Sequence, residues 1–471
     1  MWSAVHAESA SLPNQLIKNK NTTAVAVVLL TCATSCSLRA PADTVRQRTA
    51  DLYPFDRLTA TDGRPGATPP SESQILERAN LELYISYGLH RNADLRGTYE
   101  RWRAALERIP QVSSLPDPVF TFAQFVEEVQ TRTGPQDRRY TVSQGLPWFG
   151  KLDLRGRVAG GSAEEHWQAV GGKRLDVESQ IAVAFYEYGY LAQSQRITEG
   201  NLQLLEQLEP VVRQRVAAGL AGQQELLKLQ VEIGKVQNDL ASIDNIRPTL
   251  SARLAATMNF PGNTLLPLPD LTEPPPSEQT VENLLERTDA QNPLLNGLRE
   301  RIKKDELAQE LAGLERWPDL TVGVDYIETG EALGPVSGSG DDPWALRLGF
   351  TLPISRGRYA AAEREAERNL AASRYDLQSQ QVSIRAELEH AVFKVDDAAR
   401  QVGLYRDTLL PRARESLDLT RTAYTAGRST LLELIEAERD LLDIENAYWR
   451  ACKDQLQSQA RLTTIVGDRV R

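Results

Sequence analysis

Two stretches decide how this chain is read: "VAAGLAGQQELLKLQVE", Val216–Glu232, and "YTAGRSTLLELIEAERD", Tyr424–Asp440. Setting Gly219 against Gly427 gives an offset of 208 and brings Glu225 opposite Glu433, Leu226 opposite Leu434 and Leu227 opposite Ile435. Upstream, "LPDPVFTF" from Leu115 matches "WPDLTVGV" from Trp317, with Pro116 on Pro318 and an offset of 202. "SQGLPWFGK" from Ser143 matches "GFTLPISRG" from Gly349, with Pro147 on Pro353 and an offset of 206. The order of the matches is the same in both halves, so the chain is a tandem duplication whose offsets differ by small insertions.

The second stretch holds a puzzle. Gly427 interrupts a run of good helix formers, at a cost of about 1 kcal/mol inside a helix. Beyond it Glu433, Glu436, Asp440 and Asp443 recur at spacings of three, four and three, the rhythm of a hydrophobic seam carried by carboxylates. Taken alone, an acidic stripe is a solvated helix face.

Each half runs helix, strand, loop, strand, long helices. The expected division is residues 1–35 as an export signal, 36–71 as an extended segment, 72–264 as the first repeat, 265–279 as a linker and 280–471 as the second repeat. The linker "LLPLPDLTEPPPSEQ" contains prolines that forbid continuous helix and suit a stiff extended chain. In the second half Leu370, Leu377, Ile384, Ala391 and Ala398 recur every seven residues, with Leu388, Val395 and Val402 completing the stripe. A helix from Tyr359 to about Gly403 is roughly 65 Å long, too long for a compact domain.

Strands are expected at about 115–127, 138–147, 319–328 and 342–353. They alternate: Trp344, Leu346, Leu348, Phe350 and Leu352 share one face, while Arg347, Gly349 and Thr351 take the other. Val322, Val324 and Tyr326 likewise oppose Thr321, Gly323 and Asp325, and Phe120 and Phe122 open the first strand. Strands of roughly 9–11 residues are long enough to cross a bilayer, but four cannot close a barrel, and open edges are not tolerated in lipid. Further copies must complete the sheet. Two give eight strands plugged by their own side chains and three give twelve with a lumen, so a conduit favours a trimer. Trp148 and Trp344 flank strands, as interface aromatics do. Asp325 and Arg347, on the polar faces, are candidates for lining the lumen.

Composition removes other classes. The formal net charge of −10 argues against a nucleic-acid binder. The chain has four His and three Cys, scattered, with no CxxC and no HExxH, so no cofactor or metal centre is expected. There is no GxxxxGK[ST] for ATP and no converging acid, base or nucleophile set, so the chain is not expected to be an enzyme. Lys18 and Lys20 precede the apolar run Ala24–Thr34, too short to span a membrane and suited to an export signal. "CATSC" resembles a bacterial lipoprotein signal, with Cys36 as the lipidated residue. Removal of Cys32 and acylation of Cys36 would leave Cys452 alone, so no disulfide is expected.

The twin glycine motifs, the strand pairs ending in "LPWFGK" and "LPISRG" and the long coiled helices together resemble the TolC-like outer-membrane efflux proteins. The likeness runs from about Glu72 to Arg471, and the start resembles the lipoprotein branch working with resistance-nodulation-division (RND) pumps. It implies an α+β membrane protein: a homotrimer with a twelve-stranded barrel in the outer membrane and a long α-helical tunnel in the periplasm. Gly219 and Gly427 would then be turn residues at the tunnel tip, facing a periplasmic adaptor protein and, beyond it, an inner-membrane RND-type pump. Glu433 and Glu436 match the gate carboxylates of that family, and Tyr424 matches a tip tyrosine bonded to an acid whose position Glu225 occupies. Ser429 stands where the prototype has a basic residue. The implied function is passive efflux through a tripartite system, at the outer membrane, lipid-anchored. The alternatives are the outlet of a type I protein secretion system and a periplasmic coiled-coil scaffold lipoprotein. The shortage of Met and His gives no support for a copper or silver conduit.

Overall fold

The computed structural model describes residues 55, 70–261, 264–275 and 280–468. The apolar run, Cys36 and most of the segment 36–71 lie outside the described residues. The first repeat begins with α1 (Glu72–Glu77), α2 (Leu81–Arg91) and α3 (Ala93–Ser113), continues through β1 (Val119–Thr131) and β2 (Gly134–Leu146), and ends in α4 (Lys151–Ala217) and α5 (Gln223–Thr257). The second has α6 (Val281–Gln291), α7 (Pro293–Leu314), β3 (Leu320–Thr329), β4 (Trp344–Phe350) and α8 (Arg356–Leu404). A π turn (Tyr405–Leu409), α9 (Leu410–Thr425) and α10 (Leu431–Val466) complete it.

The duplication extends further than the matched motifs. Asn92 closes α2 and opens α3, its side chain accepting from Leu95 N at 2.9 Å. Asn292 does the same between α6 and α7, accepting from Leu295 N at 3.1 Å. An asparagine oxygen satisfies one of the orphan donors of a helix start, so a single residue can end one helix and begin the next.

Helix α4 has 67 residues, roughly 100 Å of uninterrupted helix. Its counterpart spans Arg356 to Thr425 as α8, the π turn and α9. Between the proline pair and the glycine pair the repeat offset grows from 206 to 208, so the second helix carries two more residues. A π turn holds an extra residue in its wider hydrogen-bond ring while the helix continues. The expected heptad stripe is the packed one: Leu370, Ile384, Leu388, Val395 and Val402 are buried, and Leu377 is half-buried.

Helix α4 packs against α3, α5, α7 and α10. Around its middle lies the largest apolar cluster, which includes Trp102, Tyr84, Tyr87, Phe185 and Tyr188. The described part of the linker crosses there: the Tyr188 hydroxyl donates to Leu266 O at 2.8 Å and Gln193 Nε2 to Leu271 O at 3.2 Å.

The four strands form one antiparallel sheet in the order β1-β2-β3-β4. The first hairpin reaches farther toward its turn than the sequence spacing suggested. Gly134 makes that possible: its φ is 138°, and a Cβ there would sit 1.7 Å from Gly330 O. β4 is shorter than expected, ending before Thr351, whose N–H donates to Asp319 O at 2.9 Å. Among the described residues no helix is long and apolar enough to cross a membrane.

Candidate functional site

Two places in this fold gather the residues singled out in the sequence: the sheet and the far ends of the helical hairpins.

On the sheet, one apolar row runs across all four strands, with Phe122 opposite Tyr140, Tyr140 opposite Tyr326 and Tyr326 opposite Trp344. The next row is Phe120, Val142, Val324 and Leu346. This face is uncovered: Phe120 is 63% exposed, Leu346 75% and Trp344 68%. Exposed apolar surface of this extent calls for a lipid or protein partner. The opposite face carries Thr121, Thr141, Asp325 and Ala345 in one register row. There Arg347 Nη2 donates to both carboxylate oxygens of Asp325, at 2.7 and 2.8 Å, and the Thr141 hydroxyl donates to the same group at 2.5 Å. The two candidates for lining a lumen are thus partners, and the pair presents little net charge.

Where the sheet meets the helices, Trp148 stacks on Trp317 with ring centroids 5.3 Å apart. Lys151 is buried beneath them, its Nζ donating to Trp317 O at 3.0 Å and to Asp319 at 2.9 Å, with Glu315 at 3.6 Å. Asp319 also accepts from Trp148 N at 2.8 Å. Lys151 was not singled out from sequence, because its partners lie more than 160 residues away.

At the other end, the two glycines are turns. Gly219 N donates to Val216 O and Leu220 N to Arg215 O; Gly427 N donates to Tyr424 O and Arg428 N to Ala423 O. This is the Schellman pattern, with the glycine in the left-handed region at φ 71° and 72°. A Cβ at Gly219 would meet nothing within 4 Å, so the requirement there is conformational and not steric. The apparent helix defects are reversals of direction.

The hairpins α4–α5 and α9–α10 pack through Leu205, Leu208 and Val212 on one side and Leu431, Leu434 and Ile435 on the other. Tyr424 is buried among them. The expected bond from its hydroxyl to Glu225 is not formed: that oxygen is buried without a partner, and Glu225 is half-buried nearby. The ring is what the fold uses. The Arg215 guanidinium sits 4.8 Å from its centroid and donates to Tyr424 O at 2.9 Å. A second tie joins α5 to α10: Arg439 Nε donates to Glu232 at 2.6 Å and Nη2 to its other oxygen. That hydrogen bond, opposed in part by burial, holds the Glu232 carboxyl below its usual range.

Glu433 has a local duty. Thr430 caps α10, and Glu433 accepts from Thr430 N at 2.9 Å and from the Ser429 hydroxyl. These bonds hold its carboxyl below the ordinary value. Thr-x-x-Glu is a capping-box signature legible in sequence. Glu436, Asp440 and Asp443 are exposed on the same helix. Among the described residues no group of His, Cys, Asp and Glu is placed to hold a metal ion.

Glu438 is the unexpected member. It is 4% exposed, with one oxygen lacking a hydrogen-bond partner. Burial raises its pKa to about 7, with Arg421 lowering it and Glu232 adding to the rise. An unfolded glutamate titrates near 4.3, so between these values the folded chain holds a proton that the unfolded one has lost. Stability therefore falls as pH rises through this window, by about 3 kcal/mol in all. Thermal unfolding in detergent at pH 5 and pH 8 should show the drop, and Glu438→Gln should abolish this part of it. An equal drop in both proteins would remove Glu438 as its source.

Residues 284–468 match the family described as Outer membrane efflux protein. The chain is similar to the cobalt-zinc-cadmium resistance protein CzcC of Cupriavidus metallidurans, 22% identical over 434 residues, covering 89% of this chain and 97% of that one. It is also similar to Nodulation protein T of Rhizobium leguminosarum bv. viciae, 24% identical over 415 residues, covering 82% and 81%. Among solved structures it shares a fold with the outer membrane protein VceC of Vibrio cholerae, at a TM-score of 0.67 and 18% identity, covering 84% of this chain and 98% of that one. The second repeat thus matches the Outer membrane efflux protein family, and the chain as a whole shares its fold with a solved outer membrane protein.

Proposed function

We propose that the chain is the outer-membrane conduit of a tripartite efflux system, passive in itself and driven by an inner-membrane RND-type pump through a periplasmic adaptor. The observation that carries this reading is the sheet: apolar across one face, small and polar across the other, with edge strands β1 and β4 each unpaired on one side. In lipid such edges must be closed, and three copies supply twelve strands around a lumen. The helical hairpins then form the tunnel wall, with Gly219 and Gly427 at the tip toward the adaptor and Glu433 and Glu436 at the gate. Cys36 is the acylation site, and the two repeats, 72–264 and 280–471, are joined by the linker 265–279.

Cargo follows from the pump. One relative is named for cobalt, zinc and cadmium resistance and another, 23% identical over 303 residues, for pyoverdine export in Pseudomonas putida. Relatives so different in cargo fit a duct that does not select.

Anchor removal separates the conduit from a scaffold held only by its lipid. The Cys36→Ser chain should remain in the outer-membrane fraction and still need detergent for release. Release by salt or carbonate alone would favour the scaffold.

A further inference from the structure

Arg138 and Arg139 are neighbours on β2, and a strand sends neighbouring side chains to opposite faces. Arg138 goes with Tyr140 to the apolar side, where its Nη1 donates to Glu328 at 3.4 Å. Arg139 goes with Thr141 to the polar side, in register between Ala123 of β1 and Ile327 of β3.

The polar face is otherwise built from small groups. In the rows set by strand pairing it carries Thr121, Thr141, Ser143, Gly323, Ala345 and Gly349. The charged residues of these rows are Arg139, Asp325 and Arg347. Two guanidinium groups therefore meet one carboxylate, in a chain whose 64 acids outnumber its 54 basic residues. The polar face holds the reverse balance.

The carboxylate is already engaged. Arg347 stands opposite Gly323, which offers no side chain to obstruct it, and reaches along the strand so that Nη2 donates to both oxygens of Asp325. The Thr141 hydroxyl donates to the same group. The Arg139 charge acts on Asp325 as well, but the hydrogen bonds come from Arg347 and Thr141. Arg139 Nε is buried without a hydrogen-bond partner, while 49% of the Arg347 side chain is exposed. A buried donor without an acceptor is costly, and the acceptors that match a guanidinium fork are oxyanions.

We propose that Arg139 and Arg347 form an anion-binding subsite on the polar face of each copy, taking a small multivalent oxyanion of the phosphate type. Asp325 fixes the Arg347 guanidinium and cancels one of the two charges; Arg139 supplies the remaining one. This rests on the conduit reading in one respect, since that reading turns the polar face toward a lumen. Anionic cargo would then be attracted at the sheet after being repelled by the carboxylates Glu433 and Glu436 at the proposed gate.

The test is equilibrium dialysis of the full chain in detergent against radiolabelled inorganic pyrophosphate, at low ionic strength, with single-channel recording on the same samples. The wild type should bind about one pyrophosphate per copy, with an affinity that falls as salt is added. Arg139→Gln should weaken binding roughly tenfold, the loss of one charge-assisted contact. Arg139→Lys, which keeps the charge, should recover part of it. Arg138→Gln, one residue away on the apolar face, should bind like the wild type. Conducting protein that binds no pyrophosphate, or equal binding in the wild type and Arg139→Gln, would overturn the subsite and leave the conduit standing. Equal losses in Arg138→Gln and Arg139→Gln would overturn the subsite too, because the polar face would then not be where the anion sits. Protein that binds as expected but does not conduct would uphold the subsite and overturn the conduit.

Discussion

Replacing Lys151 by alanine should unfasten the sheet from the helices at a cost of about 1–3 kcal/mol, because a buried ammonium and its hydrogen bonds are lost while its acid partners Asp319 and Glu315, each 37% exposed, remain partly solvated. Its Nζ is the common donor for Trp317 O and Asp319, and it lies close to Glu315. It sits one residue after Gly150, whose φ of 88° turns the chain from β2 toward α4. Losing the ammonium leaves Asp319 with the Trp148 N–H and solvent, since its side chain is 37% exposed. Thermal unfolding in detergent reads the loss, and Lys151→Arg, which keeps the charge, should recover part of it. A change under about 1 kcal/mol would mean that the Lys151 bonds add little and the junction is held by the tryptophan stack.

The second large effect separates two substitutions at Tyr424. Tyr424→Ala should cost about 3–5 kcal/mol, the range for emptying a buried aromatic site. Tyr424→Phe should be nearly neutral, since the hydroxyl is buried without a partner and its removal breaks no hydrogen bond. Phenylalanine also keeps a ring face for Arg215. Hydrogen exchange of the Gly427 and Arg428 amides, which close the turn, reports the local cost. Acceleration of roughly a hundredfold or more in the alanine variant, and little in phenylalanine, is expected. Equal acceleration in both would show that the hydroxyl carries the contact after all.

Much of the architecture is legible from residues close together in sequence. The heptad from Leu370 to Val402 fixes which face of α8 is buried, since helix period alone decides that. The alternation in "PWALRLGFTLP" likewise assigns Leu346 and Arg347 to opposite faces. The glycine motifs mark the hairpin turns because a left-handed residue there is a local demand. The capping role of Glu433 was equally local, with Thr430 three residues before it, and it tempers any account of that acid as gate alone.

Long-range contacts were not legible. Arg215 meets Tyr424 across 209 residues and Arg439 meets Glu232 across 207, with nothing in either stretch to announce the partner. Glu438 reads as one more acid in a helical charge run. Only the packing of α10 against its neighbours shows it turned inward and protonated near neutrality.

Single-channel conductance of the purified protein in a planar bilayer tests the central claim most directly, for the wild type and for Glu433→Gln combined with Glu436→Gln. Glutamine at 433 can still accept the Thr430 N–H, so the cap survives while the charge is lost. Discrete openings with a cation preference that weakens in the double variant are the predicted result, because three copies would bring six carboxylates to one constriction. Silence from well-folded protein, persisting in the tip-loosened Tyr424→Ala variant, would contradict the conduit and leave a scaffold.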